Sequence, residues 1–169
     1  MEVRHVSLYY RTRKGIVKSR FPKWTLVIDT RTYLILSTVV DRGPLPDDIE
    51  FDQAVTAAYA RQPFSELLAD AGYDSEEHHR MIHQELGARS IIPPLRGRPT
   101  MKPPTGHYRA QMHRRFPRKT YGQRWQIESA ISSHKRRIGS ALRARSFWSQ
   151  WREVHLRAIT HNIMLTAGQ

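Results

Sequence analysis

Between residues 96 and 145 the chain carries 14 lysines and arginines against one acid, Glu128. Unopposed charge on this scale repels itself and weakens folding unless a partner neutralises it. Outside this segment basic and acidic residues balance, so the net charge of +13 is a local property. Residues 1–23 hold seven basic residues and one acid, and 29–95 hold five and twelve, which puts an acidic centre between two basic arms. Such a run is either a solvated surface or the footprint of a polyanionic partner.

With 169 residues, 39% of them hydrophobic, the chain suits one folded domain rather than a basic tail. It contains no cysteine, which excludes a disulfide scaffold, a thiolate nucleophile and a Cys-based zinc site. No apolar run approaches the roughly 20 residues of a membrane-spanning helix, and the basic start has no signal-peptide core behind it. A soluble, cytoplasmic protein without a membrane partner is the expectation.

Trp24 to Val40 is dense in β-branched and aromatic residues, broken by Asp29-Thr30-Arg31-Thr32. This predicts a β-hairpin. Residues 50–61 space Phe51, Val55 and Ala58 at helical intervals, with Asp47 or Asp48 as candidate cap. A short apolar run then ends at Asp70, and Asp74 or Ser75 is placed to cap a helix that stops at Gly87. Another strand falls in Ala88-Arg89-Ser90-Ile91-Ile92, followed by a flexible connection rich in proline and glycine at about 93–106. Helices are predicted over roughly 120–137 and 147–166. The order is that of an α/β domain with a mixed sheet.

Glu128 sits among cations in a pattern worth measuring. Tyr121, Arg124, Glu128 and Lys135 would fall, on a continuous helix, within a stripe about 60° wide. One acid on a basic face can hold a hard divalent cation against a phosphate gripped by Arg and Lys. Equally, Glu128 can simply pair with Arg124 at i,i+4. Asp70, at the end of a strand where α/β sheets place ligands, is either its companion on a metal or an ordinary turn residue.

Taken together, Asp70-Ala71-Gly72-Tyr73-Asp74 and the pattern Y-x2-R-x3-E-x6-K, matched by Tyr121, Arg124, Glu128 and Lys135, resemble the DDE, RNase H-like catalytic domain of insertion-sequence transposases. The hairpin and the C-terminal helix ending His161-Asn162-Ile163-Met164-Leu165 sit where those proteins place theirs. The resemblance implies an RNase H-like mixed sheet with flanking helices. It makes Asp70 and Glu128 the catalytic, metal-binding acids for Mg2+ or Mn2+, and assigns DNA binding to Tyr121, Arg124 and Lys135, joined by the basic Arg136 and Arg137. Double-stranded DNA at transposon ends and target is the implied partner, with a homodimer on DNA as the assembly and the nucleoid as the setting.

The family's first Asp belongs to a strand before a basic stretch that here reads His5, Ser7, Tyr9 and Tyr10. No Asp precedes it. Asp29 falls in the hairpin turn and Asp41 beyond its far end. The expectation is a partial catalytic domain over 1–169, a truncated transposase lacking its first, central strand. Its alternative is a non-catalytic basic nucleic-acid-binding protein.

Other candidates carry less. His78, His79 and His83 share a predicted helix but lack the Glu of a zinc-protease motif, so solvent exposure is expected. Ser132, Ser133 and His134 are adjacent on a helix and do not face each other. Trp125 and the C-terminal tryptophans, Trp148 and Trp151, are expected as core or helix-packing residues, the alternative being that one of them stacks on an unpaired base.

Overall fold

The computed structural model describes residues 21–43, 50–95, 104–139 and 141–167. Strands β1 (Phe21–Ile28) and β2 (Ile35–Gly43) pair antiparallel, and β3 (Glu66–Leu68) and β4 (Arg89–Ile91) pair parallel. The helices are α1 (Phe51–Arg61), α2 (Glu76–Arg80, running on as a π turn Met81–Glu85), α3 (His107–Arg114), α4 (Arg118–Tyr121), α5 (Trp125–Ile138) and α6 (Phe147–Thr166). The fold is thus mixed α/β, small sheets flanked by helices, as in an RNase H-like fold with a reduced sheet. Among the described residues the two strand pairs are separate two-stranded sheets. Two compact units emerge, with the boundary inside α5 between Gln126 and Ile127.

The first unit contains β1, β2, the helix from Ile127 onward and α6. Its hairpin turn is made by Asp29, whose carboxylate accepts the Arg31 amide (3.0 Å) and the Thr32 hydroxyl (2.6 Å), an Asx turn in which the side chain stands in for backbone. Tyr33 follows at φ 63°. Trp24, Ile28, Ile35 and Val40 of the hairpin are buried with Ala130 of α5 and Val154 and Ala158 of α6, each large apolar side chain contributing roughly 1.5–3 kcal/mol. Asn162 completes strand-like pairing with Ile35, accepting its amide (2.8 Å) and donating to its carbonyl (2.9 Å). Buried Arg157 donates to the carbonyls of Gly139 (2.8 Å) and Ala141 (2.6 Å) and to Glu153 (2.7 Å), which fixes the turn between α5 and α6.

The second unit runs from α1 to Gln126. Ala54, Val55 and Ala58 of α1, Leu67 of β3, Ile82, and Ile91 and Ile92 at β4 are buried. The expected cap Ser75 holds: its hydroxyl accepts the His78 amide at 3.1 Å. Helix α1 has Glu50 at its N-cap with no side-chain cap, and Asp47 and Asp48 lie outside the described residues. So does most of the connection at 93–106, and so do His5, Ser7, Tyr9 and Tyr10. Helix α3 was not anticipated from the sequence. The stretch predicted as one helix from 120 is α4, a 3-10 turn Gly122–Arg124 and then α5.

His134 is buried in the first unit, its ring edge-on to Trp24 at 5.3 Å and tilted against His161 at 5.4 Å. Burial, then the charges of His161 and Arg157, pull its pKa down to about 4. A folded value below the unfolded one means that its contribution is complete above the ordinary value of 6.5 and fades as pH falls toward 4. Urea unfolding should therefore show a loss of about 3 kcal/mol across that window, at about 1.4 kcal/mol per unit. His134→Phe should remove that part of the pH dependence.

Candidate functional site

Strand β3 delivers Asp70. The Ala69 amide donates to the Ile91 carbonyl (3.3 Å), extending the parallel pairing by one residue, and Asp70 then leaves the sheet in an extended conformation. Its own carbonyl accepts the Tyr73 amide (3.0 Å), closing the turn Ala71–Tyr73. The carboxylate, 56% exposed, stands past the C-terminal end of β3. Arg124 meets it with two nitrogens, each 3.2 Å from a different carboxylate oxygen. Tyr121 joins them: burial and then the Asp70 charge push its phenol up, against the opposing pull of Arg124. The Phe116 ring packs edge-on to Tyr121 at 5.0 Å.

Asp70, Tyr121 and Arg124 are thereby brought together within one unit, across 54 residues of chain between Asp70 and Arg124. Glu128, Lys135, Arg136 and Arg137 lie on α5 in the other unit, and all four are exposed. Ala130 and His134 form the buried side of that helix. Arg136 donates to Ser132 at 3.4 Å. Because Gly122–Arg124 is 3-10, the stripe expected from Tyr121 to Lys135 is not one straight α-helical face.

Next to Asp70 lies a polar cluster that the sequence did not announce. Asp74, its side chain wholly buried, accepts Nε (3.0 Å) and a terminal nitrogen (2.8 Å) of Arg109, and the Leu95 amide (2.8 Å). Burial pushes its carboxyl up, but the facing His79, the Arg109 fork and the Leu95 amide overcome this and hold it far below the usual carboxylate range. His79 Nε2 stands 3.6 Å from Asp74, beyond hydrogen-bond length but close enough to feel its charge. On its other side His79 Nδ1 meets the Ser90 hydroxyl at 2.5 Å. The Ser90 amide donates to His83 (3.3 Å), whose ring stacks on Tyr108 at 4.3 Å. Glu76 caps α3 from a distance, accepting the Tyr108 and Arg109 amides (both 3.1 Å). At the N-cap of α3, Gly106 has φ +105°, and a Cβ there would strike the Glu76 carboxylate.

His78 and His79 are buried and His83 partly so, not solvent-exposed, because Ser90, Tyr73 and Asp74 supply partners that make burial affordable. Trp125 (60% exposed) and Trp148 (63%) are not core residues; Trp151 is half-buried against the first unit's core. Asp74 serves the network rather than capping α2. The buried Asp74, His79 and Ser90 have the composition of a hydrolase triad, but Ser90 has no exposed surface from which to attack a substrate.

Carboxylate oxygens are the right donors for a hard divalent cation that keeps several waters, so Asp70 and Glu128 fit one in kind. Among the described residues no three His, Asp or Glu side chains gather as a preformed metal cluster. No helix among them is long and apolar enough to cross a membrane.

Comparison with protein families places a match to the transposase DDE domain over residues 6–163. The chain belongs to the transposase DDE domain family, whose members act on DNA in transposition and depend on divalent metal. No curated protein matches it. No solved structure does either.

Removing the Asp74 carboxylate leaves Arg109 and the Leu95 amide without their acceptor, and breaking such a buried pair typically costs about 3–5 kcal/mol. Asp74→Ala is expected to lower stability to urea by that order. The wild-type contribution is in place above the ordinary carboxylate value of 3.8 and is lost as pH falls through the lower folded value. Acid titration of the difference between the two proteins should follow that sign.

Proposed function

We propose that the chain is a DNA transposase domain that cleaves and joins phosphodiesters at transposon ends in double-stranded DNA, with Asp70 and Glu128 as its catalytic, metal-holding acids. The observation that carries this is the meeting of Asp70, Tyr121 and Arg124 beyond the C-terminal end of β3. Residues far apart in sequence converge there, at the edge where α/β sheets bind ligands. Arg124 orients both Asp70 oxygens, and its planar fork matches a phosphate as well as a carboxylate. Tyr121 stands beside the Arg124 guanidinium, which lies 5.9 Å from the Tyr121 ring centroid. Lys135, Arg136 and Arg137 on α5 add exposed cations for the DNA backbone. A divalent cation, Mg2+ or Mn2+, would supply Lewis acidity at the scissile phosphate and a more acidic attacking water. The cytoplasmic nucleoid and a dimer on DNA complete the reading.

The alternative, a non-catalytic basic DNA- or RNA-binding protein, draws on the lack of a preformed three-ligand cluster among the described residues. Cleavage and strand-transfer assays on the element's end DNA in Mg2+ or Mn2+ separate the two. On the proposed reading Asp70→Ala and Glu128→Ala each lower the rate at least about 100-fold, a loss of the size seen when one transition-state-stabilising group is removed, while DNA binding persists. Binding without cleavage in either metal, unaltered by both substitutions, would establish the alternative.

A further inference from the structure

Residues 104–126 contain six lysines and arginines and no acid. Two of the six are committed internally, Arg109 to Asp74 and Arg124 to Asp70. The remaining four, Arg114, Arg115, Arg118 and Lys119, are all exposed, and among the described residues none forms an ion pair. They fall at the end of α3 and the start of α4, on either side of Phe116-Pro117. Phe116 is the ring packed against Tyr121, the Arg124 guanidinium lies 5.9 Å from the Tyr121 ring centroid, and Arg124 pairs with Asp70. The four cations are therefore tied to the carboxylate at the end of β3 by a short chain of contacts, Phe116 to Tyr121, Tyr121 to Arg124 and Arg124 to Asp70. Glu76 and Asp74 hold the other end of the same arm by capping α3 and pairing with Arg109.

We infer that Arg114, Arg115, Arg118 and Lys119 form a backbone-gripping arm for duplex DNA, which Phe116 registers to Asp70. This rests on the transposase reading and deepens it, by naming a contact surface outside the family signature. Charge of one sign, three of the four groups guanidinium, suits phosphate oxygens. A membrane surface fits poorly, because α3 and α4, which carry the four cations, expose no large apolar side chain to enter it; the exposed Trp125 begins the next helix. An arm of this kind positions DNA and reads no sequence, since phosphate contacts carry register rather than base identity.

Equilibrium binding of the full chain to duplex DNA, followed between about 50 and 200 mM salt, tests this. Replacing all four residues by Gln should make the log-log salt slope shallower by about 3 to 4, as each lost phosphate contact removes about 0.9. Replacing the three arginines by Lys instead, with Lys119 kept, should restore most of the slope, which separates charge from folding. An unchanged thermal transition in the Gln variant confirms that the arm is still folded. A wild-type slope in that variant overturns the inference while leaving the transposase reading intact. Tighter binding to an RNA duplex of equal length than to DNA also overturns it. No salt-dependent DNA binding by the wild-type chain would bring down the transposase reading itself.

Discussion

One buried carboxylate, Asp74, ties three elements of the second unit together. It gathers the Leu95 amide beyond β4, the Arg109 fork of α3 and the charge-facing His79 of α2 at one point. The segment 104–126 needs such an anchor, because Met112 is its only fully buried side chain. Apolar burial of one methionine is worth roughly 1.5–3 kcal/mol, little against the entropy of ordering some twenty residues. Polar anchoring by Asp74 and Glu76 therefore fixes where α3 starts. That start in turn places Phe116, Tyr121 and Arg124 relative to Asp70.

The same logic explains how a chain with net +13 folds at all. Several of its acids are matched to cations or amides: buried Asp74 to Arg109, surface Asp70 to Arg124, Glu76 to the α3 amides, and Glu153 to Arg157 and the Arg143 and Ala144 amides. Each of these acids neutralises or orients one element. Left over at the surface are cations such as Arg114, Arg115, Arg118 and Lys119. The acidic centre of the sequence is thus the scaffold, and the basic segment is what that scaffold displays.

Much of this was readable from the chain. β-branched density gave the hairpin, helical spacing of Phe51, Val55 and Ala58 gave α1, and Ser75 announced its helix by local chemistry alone. Asp70 and Arg124 were found through motif spacing, which encodes a shared site without showing the contact between them. What stayed hidden depends on remote partners. Helix α3 is short and polar, and its cap is Glu76, some thirty residues earlier. The burial of His79 depends on Ser90 and Asp74, neither of which helical periodicity can pair with it. Trp125 misled because an aromatic residue is a good prior for the core but says nothing about which side of a helix end faces water.

Two Asp–Arg pairs whose carboxylates lie four residues apart on the chain serve opposite ends. In the Asp74–Arg109 pair the carboxylate is fully buried, so separating it would strand a charge away from water, at several kcal/mol. That pair stays made. At Asp70–Arg124 the carboxylate is 56% exposed and the guanidinium 27%. Water competes there for both groups, and exposed pairs of this kind are worth about 0–1 kcal/mol. Arg124 can therefore release Asp70 for a phosphate, and Asp70 can turn to a cation, at a cost that binding of either would readily exceed. A fixed pair behind an exchangeable one is the arrangement the proposed role asks for: Asp74 holds the frame rigid so that Asp70 need not be.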